Sequence, residues 1–118
     1  MTGVNTVLVV DDEPAIRLLC RVNLELDGHR VLEAGTLAEA REWLPREPSL
    51  VLLDLHVGPE DGIDLLTEIR QEHPDVRVVL LTGTSEVAEP VRQLADGVLM
   101  KPFTLEQLAA TVQRFARV

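Results

Sequence analysis

Residues 50–62 read LVLLDLHVGPEDG, and this segment indicates the kind of sheet into which the chain folds. Its first four residues are apolar, which is typical of a strand buried on both faces in a parallel sheet. Asp54 follows that strand directly, and Gly58, Pro59 and Gly62 then turn the chain. Because ligands bind at the carboxyl ends of strands in open parallel sheets, we expect Asp54 at the rim of a crevice. A single Asp in this place also commonly starts a turn or caps a helix, so the ends of the other strands must be considered.

Length and composition favour one compact domain over residues 1–118. The formal net charge of -9 argues against direct nucleic-acid binding, which needs a basic face. A single cysteine, Cys20, excludes an internal disulfide framework and suits a reducing compartment. The sequence contains neither an apolar run of the ~20 residues that a membrane span needs nor a recognisable secretory leader. We therefore expect a cytoplasmic protein that does not associate with membranes.

Strand and helix signals alternate along the whole chain. Runs typical of buried strands lie at 6–10, 30–34, 50–53, 76–81 and 98–100. Helices are predicted from Pro14, from Thr36 to about Leu44, from Ile63 to before Pro74, within 86–95 and after Thr104. This alternation implies an α/β fold, in which helices cover both faces of a parallel sheet and the crossovers are right-handed.

The residues that end the predicted strands form a chemically coherent set. The first strand is followed by Asp11 and Asp12, the third by Asp54, and the last by Lys101, while Thr82 follows the fourth. In a parallel sheet all of them lie along one edge, where three carboxylates would repel one another. A hard divalent cation relieves that repulsion, and Mg²⁺ is the usual one beside phosphate chemistry. Acids, metal, hydroxyl and lysine together suit phosphorylation of a carboxylate, with Asp as the nucleophile.

At this point the sequence resembles the receiver domain of bacterial two-component response regulators. The resemblance rests on Asp11-Asp12-Glu13-Pro14, on Asp54 with Asp61-Gly62 after it, on Thr82, and on Lys101-Pro102-Phe103. It extends over essentially the whole chain, and the motifs occur in the family's order. It implies a flavodoxin-like, doubly wound, five-stranded parallel sheet of strand order 2-1-3-4-5 with five helices.

The resemblance also implies a phosphorelay function and a metal site. Asp54 would accept a phosphoryl group from a sensor histidine kinase or a phosphotransfer protein, which makes the domain a signalling module rather than an enzyme. Asp12 and Asp54 would bind Mg²⁺ through their side chains, His56 through its backbone carbonyl, and Asp11 through water. The phosphorylated domain would act on a downstream protein or a fused output domain, and a phosphorylation-dependent dimer is a further option.

Thr82 and Lys101 would contact the phosphoryl oxygens and start the switch, but the sequence departs from the family near them. The family often places Tyr or Phe three residues before the lysine as a rotamer switch, and this chain has Val98, which is stiff at χ1. The segment between Thr82 and Lys101 is a few residues shorter than the family pattern. Because Pro90 lies in it, we expect a fourth helix that is short or starts after the proline. Gly58 also stands where the family usually has Pro.

Three other functions are compatible with parts of this pattern. A pseudo-receiver that serves only for docking would keep the fold, although the complete set of acids, Thr82 and Lys101 speaks against it. A small aspartyl-nucleophile phosphatase would commonly carry a second acid two residues after the nucleophile, where this chain has His56. A flavin-binding module would cradle phosphate in its first loop, whereas the acidic residues 11–13 repel phosphate.

Overall fold

The computed structural model describes residues 5–83 and 87–116. Within these ranges the elements are β1 (Thr6–Val10), α1 (Pro14–Leu26), β2 (Arg30–Ala34), α2 (Leu37–Trp43), β3 (Leu50–Asp54), β4 (His56–Val57), β5 (Glu60–Asp61), α3 (Gly62–Glu72), β6 (Arg77–Thr82), α4 (Glu89–Leu94), β7 (Gly97–Met100) and α5 (Leu105–Phe115). A single turn of 3-10 helix, Leu44–Arg46, follows α2.

Five of the strands form one parallel sheet in the order β2-β1-β3-β6-β7. Since β6 and β7 are the fourth and fifth strands of this sheet along the chain, the predicted flavodoxin-like order 2-1-3-4-5 is confirmed. The register aligns Val10 with Ala34 and Leu53, and Asp54 with Leu81. The residues that follow these strands are therefore presented side by side at one edge of the sheet.

Alternation along the strands divides the core into two layers, because successive side chains of a strand point to opposite faces. On one face Val7, Val9, Leu50 and Leu52 pack with residues of α1 and α5. On the other face Leu8, Val10, Val51 and Leu53 pack with residues of α2 and α3, while residues of and beside α4 pack at the margin of this layer. Both faces of the sheet are covered, which explains why β1 and β3 read as continuous apolar runs.

Capping residues begin three of the helices, and two of these caps, Thr36 and Thr104, were predicted from the sequence. Thr36 accepts a hydrogen bond from the Glu39 backbone N–H at the start of α2. Thr104 and Gln107 form a reciprocal capping box at the start of α5. Asp61 accepts from the Ile63 backbone N–H and so caps α3. The caps fix the loops that precede these helices, and all three loops follow the carboxyl ends of sheet strands.

The structure differs from the sequence-based expectations in three local features. The segment after Asp54 contains a small antiparallel hairpin, β4–β5, that we did not predict. The helix expected to extend to about Leu44 ends at Trp43, and a 3-10 turn, Leu44–Arg46, follows it because Pro45 cannot continue an α-helix. Helix α4 has six residues, as short as expected, and it begins one residue before Pro90 because proline is tolerated in a first turn.

Across the part of the chain that the structure describes, no helix combines the length and the apolar character that a bilayer crossing demands.

Candidate functional site

The carboxyl ends of the sheet strands bring the predicted site residues together. Asp11 follows β1, Asp54 ends β3, Thr82 ends β6 and Lys101 follows β7. The side chains of Asp11, Asp54 and Thr82 are buried, with residue exposures of 0%, 7% and 3%, whereas Asp12 is exposed. One carboxylate oxygen from each of Asp11, Asp12 and Asp54 lies within 4.8 Å of the other two. An acidic pocket thus opens at this edge, with its floor inside the protein and Asp12 at its mouth.

Lys101 is the cation of this pocket. Its Nζ lies 2.7 Å from Asp11 Oδ2 and 3.4 Å from Asp54 Oδ2, and 3.7 Å from an oxygen of the exposed Glu13. Burial alone would lower the pKa of the Lys101 ammonium, but the hydrogen bond and negative charge of Asp11, with a contribution from Asp54, raise it above its ordinary value. Lys101 therefore stays protonated and partly neutralises the carboxylates.

Asp54 stands in an environment that disfavours its charged form. Burial is the largest influence and raises the pKa of the Asp54 carboxyl, and the negative charge of Asp11 adds to the effect. The His56 backbone N–H, 3.0 Å from Asp54 Oδ1, and the ammonium of Lys101 act in the opposite direction without cancelling it. An additional cation beside Asp54 would thus be favourable.

The two buried aspartates each divide their oxygens between a loop and the pocket. Asp11 Oδ1 accepts from the Glu13 backbone N–H at 3.0 Å, and Asp54 Oδ1 accepts in the same way from His56. Their Oδ2 atoms both contact Lys101 Nζ. Each aspartate therefore both stabilises a turn, through Oδ1, and contributes charge to the pocket, through Oδ2.

The hairpin β4–β5 holds the segment after Asp54 in place. His56 pairs with Asp61, and the buried Val57 pairs with Glu60. The Glu60 carboxylate accepts a hydrogen bond from the Leu37 backbone N–H at 3.2 Å, which ties the hairpin to the start of α2. The sequence did contain a signal for this feature, because a two-residue connection that begins with a glycine of positive φ, here Gly58 at 61°, is typical of tight hairpins.

Gly62 allows α3 to start directly against the end of β3. A Cβ atom at Gly62 would collide with the Asp54 backbone carbonyl oxygen and would stand 3.0 Å from the Leu55 Cα. Both neighbours are backbone atoms and cannot move aside as a side chain would. The Asp-Gly pair after Asp54 therefore has two physical roles, since Asp61 caps the helix and Gly62 lets the helix approach the site.

The remaining predicted residues lie on the fourth and fifth strands of the sheet. The Thr82 carbonyl accepts a hydrogen bond from the Lys101 backbone N–H at 2.7 Å, which joins the ends of β6 and β7. Val98 pairs with Leu80 in the sheet and packs, half-buried, against the layer formed with α2 and α3. The segment 84–95, which leads from this edge into α4, is described only from residue 87 onward, so part of it lies outside the described residues.

Comparison with known proteins gives consistent results for sequence and structure. The family described as the response regulator receiver domain matches residues 7–113. The KDP operon transcriptional regulatory protein KdpE of Escherichia coli is 40% identical over 111 residues, which cover 91% of this chain and 49% of that protein. The sensor kinase CckA of Brucella abortus is 38% identical over 119 residues, which cover 96% of this chain and 13% of that kinase. The chain thus spans half or less of the length of these curated relatives.

Two solved structures show the same likeness in three dimensions. The receiver domain of NtrX from Brucella abortus superposes with a TM-score of 0.83 at 33% identity, covering 93% of this chain and 97% of that domain. The response regulator TrrA from Thermotoga maritima, in complex with Mg²⁺ and BeF, superposes with a TM-score of 0.85 at 30% identity. That alignment covers 94% of this chain and 98% of TrrA.

Proposed function

This chain belongs to the response regulator receiver domain family, and from that premise we propose that it is a phosphoacceptor whose phosphorylation site is Asp54. One observation carries the proposal: three carboxylates lie within 4.8 Å of one another around Asp54, and Lys101 Nζ contacts two of them. We take residues 1–118 as one receiver domain in the cytoplasm. A docking module would have no need for so costly a concentration of buried charge.

In the proposed reaction, an Asp54 carboxylate oxygen attacks the phosphorus of a phosphohistidine on a sensor histidine kinase or a phosphotransfer protein. The bond between phosphorus and the new oxygen forms as the phosphorus–nitrogen bond breaks, and the imidazole that leaves takes up a proton. Lys101 remains protonated and can move its hydrogen bonds to the phosphoryl oxygens, and the Thr82 hydroxyl donates another. The burial of Asp54 limits the access of water to the acyl phosphate.

The residues at the pocket also fit a hard divalent cation, because all of the candidate ligands are oxygen atoms and three carboxylates lie together there. Burial, with a contribution from the negative charge of Asp11, raises the pKa of Asp54, so a cation beside its charged form would be favourable. We assign Mg²⁺ to the side chains of Asp12 and Asp54, the backbone carbonyl of His56, and Asp11 through water. When bound, Mg²⁺ neutralises charge on the transferring phosphoryl group.

An apolar groove beside the pocket suits the partner that supplies the phosphoryl group. Leu18, Leu19, Val22 and Leu26 are exposed on α1, which is unusual for large aliphatic side chains that lie next to one another on a helix. Leu19 also lines a groove of about 390 Å³ that reaches Lys101. We assign this surface to the docking of the histidine kinase or phosphotransfer protein. The phosphorylated domain then acts on a downstream protein or a fused output domain, or pairs with a second copy.

Labelling with acetyl phosphate and Mg²⁺ tests the phosphorylation site. We expect intact-mass spectrometry to find one added phosphoryl group on the wild type and none on Asp54→Ala. Asp75→Ala removes an exposed carboxylate that lies before β6, at the opposite end of the sheet, and is expected to be labelled like the wild type. Equal labelling of wild type and Asp54→Ala would refute Asp54 as the acceptor, and a folded wild type that takes no label would favour the docking module.

Calorimetric titration with Mg²⁺ tests the metal assignment. Asp12 is exposed, so we expect Asp12→Ala to fold normally, to lose Mg²⁺ binding, and to be slightly more stable than the wild type without metal because like charges are less crowded. Glu13→Ala is the matched control, since it removes the neighbouring carboxylate, which lies outside the group of three. Unchanged affinity in Asp12→Ala would contradict the assignment.

A further inference from the structure

The guanidinium of Arg17 on α1 binds the main chain between Asp11 and Asp12, the two aspartates that follow β1. Its Nη1 donates a hydrogen bond to the Asp11 carbonyl oxygen at 2.6 Å. That carbonyl belongs to the planar peptide unit that joins Asp11 to Asp12, so holding it restricts the orientation of the whole unit. The donor is charged, which makes this hydrogen bond stronger than a neutral one.

Three further contacts fix the same loop. The Asp11 backbone N–H donates to the Ala34 carbonyl at 3.0 Å. The two carboxylate oxygens of Asp11 accept hydrogen bonds from the Glu13 backbone N–H and from Lys101 Nζ. Asp12 has a different position, because it is exposed and lies at the mouth of the pocket. The orientation of its carboxylate therefore depends on the peptide unit that Arg17 holds.

Arg17 is itself held in one geometry. Its Nε lies 3.4 Å from Glu33 Oε1 on β2, and its side chain is only 19% exposed. The opposite oxygen of Glu33 accepts from Arg21 at 2.7 Å. The guanidinium also lies close to Gly35, where a Cβ atom would stand 3.0 Å from its Nη1. The contact with Glu33 and the absence of a side chain at Gly35 thus fix the guanidinium of Arg17 beside the Asp11 carbonyl.

From these contacts we propose that Arg17 is a positioning residue for the metal and phosphoryl site, which acts by orienting the Asp11–Asp12 peptide unit so that both carboxylates face the pocket. This inference rests on the proposed function, because it concerns the same site. Residues that orient metal ligands without touching the metal typically change the affinity by ten- to a hundredfold when mutated.

A positioning role and a simple charge effect predict opposite changes in metal affinity. Removing a nearby positive charge would by itself strengthen the binding of a cation. Losing the hold on the Asp11–Asp12 peptide would weaken it. The sign of the change in Mg²⁺ affinity therefore separates the two roles.

The experiment compares Mg²⁺ titrations of wild type, Arg17→Ala, Arg17→Lys and Arg21→Ala by calorimetry. Arg21→Ala is the matched control, because it removes an equal charge and a contact to the same Glu33 without touching Asp11. We expect Arg17→Ala to bind Mg²⁺ about tenfold more weakly than the wild type. Arg21→Ala should bind as the wild type does or more tightly, and Arg17→Lys should restore part of the affinity because it keeps one charged donor.

Two measurements complete the test. In metal-free protein, amide NMR shifts of residues 11–13 should change in Arg17→Ala and not in Arg21→Ala. If Arg17→Ala binds Mg²⁺ as well as Arg21→Ala does, the inference is wrong. Should the alanine variant fail to fold, Arg17→Met takes its place, since it keeps the aliphatic stem and removes the donor to the Asp11 carbonyl. Wild-type affinity and unchanged shifts in Arg17→Met would equally overturn the inference. A wild type that neither binds Mg²⁺ nor takes label at Asp54 would instead refute the proposed function.

Discussion

Asp54 is the residue in which the local and the global requirements of this protein conflict. Its backbone belongs to a buried strand, and its side chain must nevertheless carry charge at neutral pH to act as the nucleophile that we propose. The structure stabilises the charge with the His56 N–H and with Lys101, but burial still raises the pKa of Asp54. The charged form of Asp54 is therefore destabilised in the metal-free protein. A cation, or a phosphoryl group with its metal, can reduce this electrostatic cost.

Because the pKa of Asp54 is raised, replacing its carboxyl group by a neutral side chain should stabilise the folded protein by an amount that depends on pH. Between the ordinary Asp pKa of about 3.9 and the raised value, the folded state keeps a proton that the unfolded chain has lost, so the free energy of unfolding falls as the pH rises. Asp54→Asn removes this dependence. Without divalent cations we expect a higher urea midpoint than that of the wild type at neutral pH, and no difference below about pH 4.

The control for this measurement is Asp75→Asn, which neutralises an exposed aspartate at the opposite end of the sheet. Its urea midpoint should follow that of the wild type across the whole pH range. A neutral-pH midpoint of Asp54→Asn below that of the wild type would mean that the contact with Lys101 outweighs the burial of the carboxylate.

Cys20 shows how the same edge affects a residue with no part in the proposed chemistry. It is fully buried on α1, and burial, aided by the negative charge of Asp11, raises the pKa of its thiol to about 12. Since thiolate is the reactive form, we expect Cys20 to be unreactive in the folded protein.

At the scale of elements, the site depends on where helices begin. α3 begins at Gly62, against the Asp54 carbonyl, and its cap, Asp61, is also part of the hairpin that follows Asp54. α1 begins at Pro14, directly after the acidic loop, and supplies Arg17. The start of α3 thus fixes the loop after Asp54, and the first turn of α1 fixes the loop of Asp11 and Asp12.

Gly62→Ala tests the close approach of α3. Because the new methyl group would meet backbone atoms, we expect a loss of about 1–3 kcal/mol in the free energy of unfolding by urea, together with weaker Mg²⁺ binding as the Asp54 loop shifts. Gly83→Ala is the matched control at the same edge, since a Cβ atom there would meet nothing within 4 Å. If both variants unfold at the same urea concentration, the contact at Gly62 is not the constraint that we describe.

α4 is the element best suited to change on phosphorylation. None of its six residues is fully buried, and it is held to the core by the partial packing of Val87, Val91 and Ala95. Val98 is stiff and cannot relay a change by swinging a ring. A weakly packed element costs little free energy to rearrange, so phosphorylation can act on it through Thr82 at the end of β6.

Hydrogen exchange with and without beryllofluoride, a phosphoryl mimic, tests this route. We expect changed protection in the segment 84–95, of which residues 84–86 lie outside the described ranges. Amides of α2 after Leu37 serve as the internal control and should be unaffected, since α2 packs against α3 rather than against α4. The Leu37 amide is left out because it donates to Glu60 of the hairpin. If protection changes only around Asp11, Asp12 and Asp54, the signal leaves the site by another path.

At the scale of the whole molecule, the pocket is a consequence of sheet order. Asp11 and Lys101 are 90 positions apart in sequence, and Lys101 and Asp54 are 47 apart. Parallel strands joined by right-handed crossovers place their carboxyl ends at one edge, which converts these separations into contacts of 2.7 and 3.4 Å. The two helical layers then bury Asp11 and Asp54 while leaving Asp12 and Glu13 at the surface.

Sequence patterns alone predicted the α/β architecture, the positions at which the sheet strands end and the residues that stand there. These features follow from local chemistry, because apolar runs, glycines, prolines and capping side chains act within a few positions of one another. The strand order required the resemblance carried by residues 11–14, Asp54, Thr82 and residues 101–103, since periodicity alone does not order strands.

The distribution of charge in the pocket could be seen only in the folded structure. The division of Lys101 between Asp11 and Asp54, the raised pKa of Asp54 and the hold of Arg17 on the Asp11 carbonyl all depend on distances between elements. Such distances are set by packing across the sheet, and a hydrogen bond or a desolvation effect changes steeply over an ångström. No pattern along the chain encodes them, because the groups involved meet only after the strands have paired.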